Sequence, residues 1–249
     1  MSIEDLKKYT NARIALGRVG VSLPTKEILS FLHAHAKAKD SLSKEISWNN
    51  FQKQLETELK LESLLLPSEA RNLTEFLTRP DKGRNLSRDS VKTIINLIDS
   101  PIFQNKIVIA ISDGLSSLAI SQHAIPFLRV FLEVCKKRNL PCSQTILLTP
   151  RGRVAIIDDL GEILHPTLVL QLIGERPGLS SPDSMGAYIT YRPEQGFSDA
   201  NRNCISNIRT EGQIPELAAH RAIYLIESCF AKKLSGVSIK DEFDGKLLE

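Results

Sequence analysis

Three polar, glycine-containing segments, each directly following a short apolar run, are the parts of this sequence best suited to bind a ligand. They occupy residues 112–117, 150–154 and 174–181. The first and third share Gly-Leu-Ser-Ser, in which glycine allows close backbone approach while hydroxyls and helix-start N–H groups can face an anion such as phosphate. Helix capping by serine and aspartate explains either segment taken alone. The occurrence of three such segments favours a binding site.

Side chains suited to catalysis or metal binding are harder to find. The patterns GxGxxG, GxxxxGK[ST], GxSxG and HExxH are absent, which removes the commonest enzyme classes. His33 and His35 are two positions apart on a predicted helix and cannot face one metal ion together, and the other histidines are isolated. Cys204 lies in a polar stretch and could contact a ligand. A buried free cysteine is its alternative role, and no neighbouring base marks a nucleophile.

Composition places the chain among ordinary globular proteins. Its 249 residues are 42% hydrophobic and 24% charged, with a net charge of +3, which argues against disordered, collagenous and disulfide-scaffold classes. The scattered charges indicate no nucleic-acid or membrane partner. Four cysteines without a CxxC pair or a secretory segment indicate a reduced, cytosolic setting. The longest continuous apolar runs fall far short of the about 20 residues that span a bilayer.

Helical periodicity dominates the first hundred residues. Apolar residues recur at helical spacing after Thr25, which can cap the helix. A second amphipathic helix is predicted over residues 48–61. Breakers then predict a loop at 77–84, followed by a helix over 90–98 and a domain boundary near Ser100.

Beyond Lys106 the pattern changes, because short, continuous apolar runs rich in β-branched residues alternate with helical patterns. The predicted strands cover residues 106–111, 145–149 and 168–173, with a further strand at 187–191. The predicted helices cover 115–138, with or without a break at Pro126, then 158–164 and 215–234. Residues 155–157 fit either a hairpin with 145–149 or a crossover connection.

The sequence therefore predicts an α/β protein in two parts. A helical amino-terminal region, residues 1–100, precedes a doubly wound, mostly parallel-sheet domain of Rossmann or flavodoxin-like type, residues 101–249. Ligands of such sheets lie beyond the carboxyl ends of the strands. The three polar segments should therefore meet along one edge of the sheet.

Motifs over nearly the whole chain resemble a known family, the light (small) chain of ethanolamine ammonia-lyase, a bacterial adenosylcobalamin-dependent enzyme. The most specific are Ile-Gly-Glu-Arg-Pro-Gly-Leu at 173–179 and Arg-Asn-Cys-Ile-Ser-Asn-Ile at 202–208. The others lie at residues 12–18, 22–25, 79–84, 112–116, 152–154 and 234–237. Because they recur in order with matching spacing, chance similarity is improbable.

The resemblance implies a subunit of a two-chain lyase. In this family a heavy chain, a (β/α)₈ barrel, and the light chain form a hetero-oligomer that encloses adenosylcobalamin at their interface and converts ethanolamine to acetaldehyde and ammonia. We therefore expect residues 1–100 to contact the heavy chain and residues 101–249 to bind cobalamin. We expect activity only with the heavy chain, which holds the substrate-binding residues, and no catalytic or metal-ligating residue in this chain.

The family's cobalamin contacts carry over to Val154, Glu175 and Cys204, each within a matching motif. Val154 can pack against the corrin or benzimidazole, Glu175 can accept a hydrogen bond from a corrin side amide, and Cys204 can offer backbone or thiol contacts. The alternatives are a core role for Val154 and an ion pair between Glu175 and Arg176 at the rim. The DxHxxG pattern of histidine-ligated cobalamin proteins is absent, so we expect the cofactor to be base-on.

Two further expectations concern location and a rival function. The cysteine usage, as argued above, indicates a cytoplasmic protein. Some relatives carry a long amino-terminal extension linked to bacterial microcompartment targeting, whereas the match here begins by Ala12, so encapsulation stays open. The rival function is a stand-alone flavodoxin-like binding module that holds a phosphate-bearing ligand at the Gly-Leu-Ser-Ser loops without a catalytic partner.

Overall fold

A computed structural model describes residues 5–10, 12–97, 103 and 106–246 and contains seven α-helices and six strands within those ranges. The helices are α1 (Thr25–Ser43), α2 (Trp48–Leu59), α3 (Leu73–Thr78), α4 (Arg88–Ile95), α5 (Ser117–Lys137), α6 (Ile156–Leu164) and α7 (Pro215–Lys232). The strands are β1 (Glu62–Leu65), β2 (Ile107–Ser112), β3 (Cys142–Leu148), β4 (Leu168–Gly174), β5 (Met185–Tyr191) and β6 (Asn203–Ile208).

All six strands form one sheet in the order β1-β3-β2-β4-β5-β6. Strands β1, β3, β2 and β4 run parallel to one another. Next to β4, β5 pairs antiparallel with β4, and β6 pairs antiparallel with β5. Every residue of β2 and β4 is buried, as expected for central strands covered on both faces. The prediction of an α/β fold with amino-terminal helices and a mostly parallel, flavodoxin-like sheet is confirmed.

Helices cover both faces of this sheet. Buried residues of α2, α5 and α7 pack in one cluster with Ile107, Ile109 and Ile111 of β2. Buried residues of α4 and α6 pack in a second cluster with Val108 and Ala110 of the same strand. Alternate residues of a strand point to opposite faces, so α5 and α6, which follow β2 and β3, lie on opposite sides. A crevice opens between their starting loops.

The connection after β3 is a crossover and not a hairpin. Residues 155–157, for which both were predicted, lie at the start of α6, with Ala155 at the amino-terminal cap position. Pro126 lies inside α5 and leaves it as one helix, which Ser116 caps by accepting a hydrogen bond from Ala119 N at 3.3 Å. By length and composition α5 could cross a membrane, yet 56% of its most apolar stretch is buried, and it packs against α7 and β4 as a core helix.

The amino-terminal region differs from the purely helical prediction. Residues 62–65 form β1, which pairs in parallel with β3 at the edge of the main sheet. The helix predicted to reach residue 61 ends at Leu59, because Lys60 adopts a left-handed conformation (φ 58°). Thr25 is the first residue of α1, and Pro24 occupies the cap position with no side-chain hydrogen bond.

Two further boundaries complete this region. The predicted loop at 77–84 follows α3, which ends at Thr78. The helix predicted over 90–98 begins at Arg88 behind its cap Ser87 and ends at Ile95. Residue 98 and the predicted domain boundary near Ser100 lie outside the described residues, so the division at 1–100 and 101–249 stays a prediction.

Candidate binding cleft

The loops that follow β2, β3 and β4 meet at the carboxyl edge of the sheet, as predicted, and form a cleft of about 380 Å³. Its apolar wall comprises Phe76, Leu115, Val154, Ile173 and Tyr188. Its charged lining residues are Arg153, Glu175 and Arg176. A mostly apolar concavity with a few polar groups is the usual form of a small-molecule site.

The glycines of the first and third loops allow the two loops to touch each other. Leu115 N donates to the carbonyl oxygen of Gly174 at 2.9 Å. A Cβ on Gly114 would collide with that carbonyl, and a Cβ on Gly174 would collide with the carbonyls of Asp113 and Ser116. Gly114 also has a positive φ of 55°, which glycine adopts without strain. These glycines therefore allow the two loops to pack directly on each other, and the packed loops form the floor of the cleft.

The two Gly-Leu-Ser-Ser segments differ in their local structure. Ser116 caps α5 and is fully buried, with its Oγ 2.9 Å from Ser41 Oγ and 3.0 Å from the Pro182 carbonyl oxygen. The second segment closes on itself through reciprocal backbone hydrogen bonds between Gly178 and Ser181. No helix follows it. The capping interpretation fits the first segment, and the second offers no helix-start N–H groups.

Val154 and Glu175 lie together in the cleft lining, from the loops after β3 and β4. Glu175 Oε1 accepts from Ser206 Oγ at 2.5 Å, and Glu175 Oε2 accepts from Ser184 Oγ at 2.5 Å and from Asn207 N at 3.1 Å. Its carboxylate thus ties the loop after β4 to β6. The alternative ion pair between Glu175 and Arg176 is not among the ion pairs of the described residues.

Cys204 lies one strand away from the cleft lining. It occupies β6 in register with Tyr188 of β5, which does line the cleft and hydrogen-bonds the Cys204 thiol. The residue is exposed as a whole, but local desolvation raises the pKa of its thiol to about 11, and Glu175 and Asp199 add to the rise. At that pKa the Cys204 thiol stays protonated near neutral pH, which does not favour a role as a nucleophile.

Sequence reasoning missed two residues that shape the cleft. Phe76 of α3 forms part of the wall, and the Arg153 guanidinium lies over its ring at 4.4 Å while Arg153 Nη2 donates to the Phe76 carbonyl oxygen at 2.7 Å. Arg153 directly precedes Val154 in the Gly-Arg-Val motif, so its position was available from sequence. Phe76 arrives through tertiary packing and carried no sequence signal.

A hydrogen-bonded network outside the cleft fixes the long loop between β4 and β5. Asp183 Oδ1 accepts from Arg209 Nε at 2.9 Å, and Asp183 Oδ2 lies 3.2 Å from His123 Nε2. Arg209 Nη1 also donates to the Ser180 carbonyl oxygen at 2.8 Å. The network anchors this loop to α5 and to the segment that follows β6. It thereby holds in place the loop after β4, which forms part of the cleft.

Asp113, directly after β2, gives the cleft region a pH dependence. Burial raises the pKa of its carboxyl to about 6, against the opposing effect of a hydrogen bond from Arg151 N at 2.6 Å. A carboxyl whose pKa is higher in the folded state stabilises the fold below its unfolded pKa, and that contribution is lost as the pH rises through 6.

We therefore expect Asp113→Asn, which keeps an acceptor for Arg151 N, to be about 1–3 kcal/mol more stable than wild type at pH 8. The difference should shrink to nearly zero by pH 4. Urea unfolding at both pH values measures it. Asp89→Asn, at a carboxylate with a 93% exposed side chain, is the matched control and should show no such trend. A constant difference between Asp113→Asn and wild type at both pH values would contradict the assignment.

The fold and the cleft define the class of protein. A doubly wound α/β sheet with an apolar cleft at its carboxyl edge is typical of proteins that bind a nucleotide or a cofactor there. Within the part of the chain that the structure describes, no three His, Cys, Asp or Glu side chains gather as metal ligands.

Comparison with known proteins gives the family. The family described as ethanolamine ammonia-lyase light chain (EutC) matches residues 1–240. The ethanolamine ammonia-lyase small subunit of Pseudomonas fluorescens (strain Pf0-1) is 45% identical, over 98% of this chain and 89% of that protein. Those of Pseudomonas putida (strain KT2440) and Pseudomonas syringae pv. tomato (strain DC3000) are 44% and 43% identical, over 98% of this chain and 89% and 85% of their own lengths. The chain belongs to the ethanolamine ammonia-lyase light-chain family.

Proposed function

We propose that this chain binds part of adenosylcobalamin in the cleft and that a (β/α)₈ heavy chain covers the cofactor from the other side. The two-chain complex would then convert ethanolamine to acetaldehyde and ammonia. The observation that carries this proposal is the meeting of Val154 and Glu175, two cobalamin contacts implied by the family's motifs, in one apolar cleft. The name small subunit, which the relatives bear, supports a larger partner.

The residues of the cleft fit such a cofactor. The apolar wall suits the edge of a corrin ring or a benzimidazole, and Val154 would pack there. A carboxylate has about four acceptor positions, of which Glu175 uses three within the chain. One position is left for a corrin side amide. Cys204 would contribute through its backbone or its neutral thiol, next to Tyr188.

The role of this chain is to bind and orient the cofactor and to exclude water from it. When bound, adenosylcobalamin supplies radical chemistry through homolysis of its cobalt–carbon bond. Near the cleft, desolvation raises the pKa of Tyr188 well above its usual range and that of Cys204 to about 11. Both groups therefore stay protonated near neutral pH, and neither is suited to act as a general base. We assign the substrate-handling groups to the heavy chain.

We also propose that the cofactor stays base-on, with its own dimethylbenzimidazole as the lower cobalt ligand. None of the cleft-lining residues is a histidine, and His123 is buried against Asp183 outside the cleft. In electron paramagnetic resonance of the cobalt(II) state, ¹⁵N labelling of histidine should leave the nitrogen hyperfine splitting unchanged. A change in the splitting would show that a histidine has replaced the base.

Co-expression with a candidate heavy chain tests the proposal directly. We expect the two chains to copurify as a cytoplasmic hetero-oligomer that binds adenosylcobalamin, and the light chain alone to bind it poorly, because half of the cofactor's surface would stay in water. The stand-alone module makes the opposite prediction. A stable monomer that saturates with a phosphate-bearing ligand and ignores the heavy chain would support it.

Replacing Glu175 tests its predicted contact with the cofactor. We expect Glu175→Ala to weaken adenosylcobalamin binding to the two-chain complex by roughly ten- to a hundredfold, since a charge-assisted hydrogen bond is lost. Titration followed by the cofactor's visible spectrum measures the affinity. The cofactor-free complex should also melt at a lower temperature, because the carboxylate holds Ser184 and Ser206.

Ser206→Ala is the matched control, since it removes one internal hydrogen bond of Glu175 and keeps the carboxylate. Its cofactor affinity should stay near that of wild type. Equal losses of affinity in Ser206→Ala and Glu175→Ala would show that Glu175 only fixes the loop. Unchanged affinity in Glu175→Ala would remove it from the site.

A further inference from the structure

Three arginines approach one another at the rim of the cleft. Arg153 and Arg176 both line it, from the loops after β3 and β4. Arg84 directly follows Gly83, whose carbonyl oxygen accepts from Arg153 N at 2.7 Å. Two loops thus each bring an arginine to the cleft, and the backbone contact at Gly83 places Arg84 beside the first of them.

These arginines have no acidic partner within the described residues. No carboxylate oxygen lies within 4.0 Å of Arg84, Arg153 or Arg176. Burial and then the charges of the other two arginines lower the pKa of Arg153, as expected for like charges gathered without a counter-ion. Such a cluster destabilises the free chain and favours an incoming anion.

The carboxylate of the cleft does not pair with these arginines, and one arginine donor has no partner. The cleft's one lining carboxylate, Glu175, directs its oxygens to Ser184, Ser206 and Asn207 N. Arg153 Nη2 binds the carbonyl oxygen of Phe76, but the buried Arg153 Nε has no hydrogen-bond partner. A buried donor without a partner costs stability. Arg153 therefore carries its charge into the cleft lining with neither an acidic partner nor a full set of acceptors.

We propose that Arg84, Arg153 and Arg176 form a binding site for a phosphate diester. Resting on the proposed function, we assign to it the phosphate of the cobalamin nucleotide loop. The apolar wall beside the arginines would then receive the corrin or the base, and the arginines would fix which end of the cofactor faces this chain. Guanidinium groups are the preferred protein partners of phosphate oxygens.

Three corrinoids that differ in phosphate and base distinguish the contribution of the phosphate to binding from that of the rest of the cofactor. Adenosylcobalamin carries the phosphate diester and the base, adenosylcobinamide phosphate carries the phosphate as a monoester without the base, and adenosylcobinamide carries neither. We expect Arg84→Gln and Arg176→Gln in the two-chain complex to weaken binding of the first two by roughly tenfold each. Binding of adenosylcobinamide should change by less than about twofold. Equilibrium titration measures all three affinities, with no need for turnover.

The variants are chosen at exposed side chains, because Arg153 also packs on Phe76 and its replacement would disturb the wall. Arg88→Gln is the matched control, an exposed arginine away from the cleft without an ion pair, and should bind all three corrinoids as wild type does. Equal losses for all three corrinoids, or no loss for any, would overturn the phosphate assignment. A wild-type complex that bound none of them would overturn the proposed function itself, and the assignment with it.

Discussion

Ammonia release from ethanolamine is expected only when this chain is combined with a heavy chain, and the purified chain alone should show none. The cleft offers no acid–base pair. Both oxygens of Glu175 are hydrogen-bonded within the chain, and the raised pKa values of Tyr188 and Cys204 keep both groups protonated. A general acid or base is most effective when its pKa lies near the working pH.

Each chain alone and the mixture are assayed with ethanolamine and adenosylcobalamin, and acetaldehyde is followed with coupled alcohol dehydrogenase. The mixture should be the sole active arm. Steady turnover by this chain without the heavy chain would refute the expectation that activity needs both chains. It would also refute the assignment of the substrate-handling groups to the heavy chain.

The sheet was predictable where burial on both faces leaves a continuous apolar run. Every residue of the strands β2 and β4 is buried. At the edges this condition fails, because β6 buries only Ile205 and Ile208 and exposes Cys204, Ser206 and Asn207. At β1, Leu61 extends the apolar spacing of the preceding helix, so the pattern alone could not show that the helix ends at Leu59. Tertiary pairing with β3 decides the conformation of β1.

The cleft was predictable to the extent that topology places strand-end loops along one edge. That argument located Val154 and Glu175, which follow β3 and β4. It could not find Phe76, which α3 brings across from the amino-terminal region. It also could not show that Gly114 and Gly174 serve contact between loops, because a glycine that meets another loop and one that meets a ligand look the same in sequence.

Breaking the buried ion pair between Arg202 and Asp158 is expected to lower the free energy of unfolding by about 3–5 kcal/mol. Arg202, just before β6, donates from Nη1 and Nη2 to the two carboxylate oxygens of Asp158 on α6 at 2.8 and 2.7 Å. Their side chains are only 1% and 9% exposed. In Arg202→Met the Asp158 carboxylate would be left buried without a counter-ion, at a position where burial already raises its pKa.

Urea unfolding of the wild-type chain and Arg202→Met measures the loss, and Arg221→Met is the matched control. Arg221 forms a partly exposed ion pair with Asp241, whose removal should cost under about 1 kcal/mol. The double variant Asp158→Leu, Arg202→Met removes both charges and should recover part of the stability lost in Arg202→Met. Equal small losses in Arg202→Met and Arg221→Met would mean that water reaches the pair between α6 and β6. In that case the arginine of the Arg-Asn-Cys motif would have a role other than this buried ion pair.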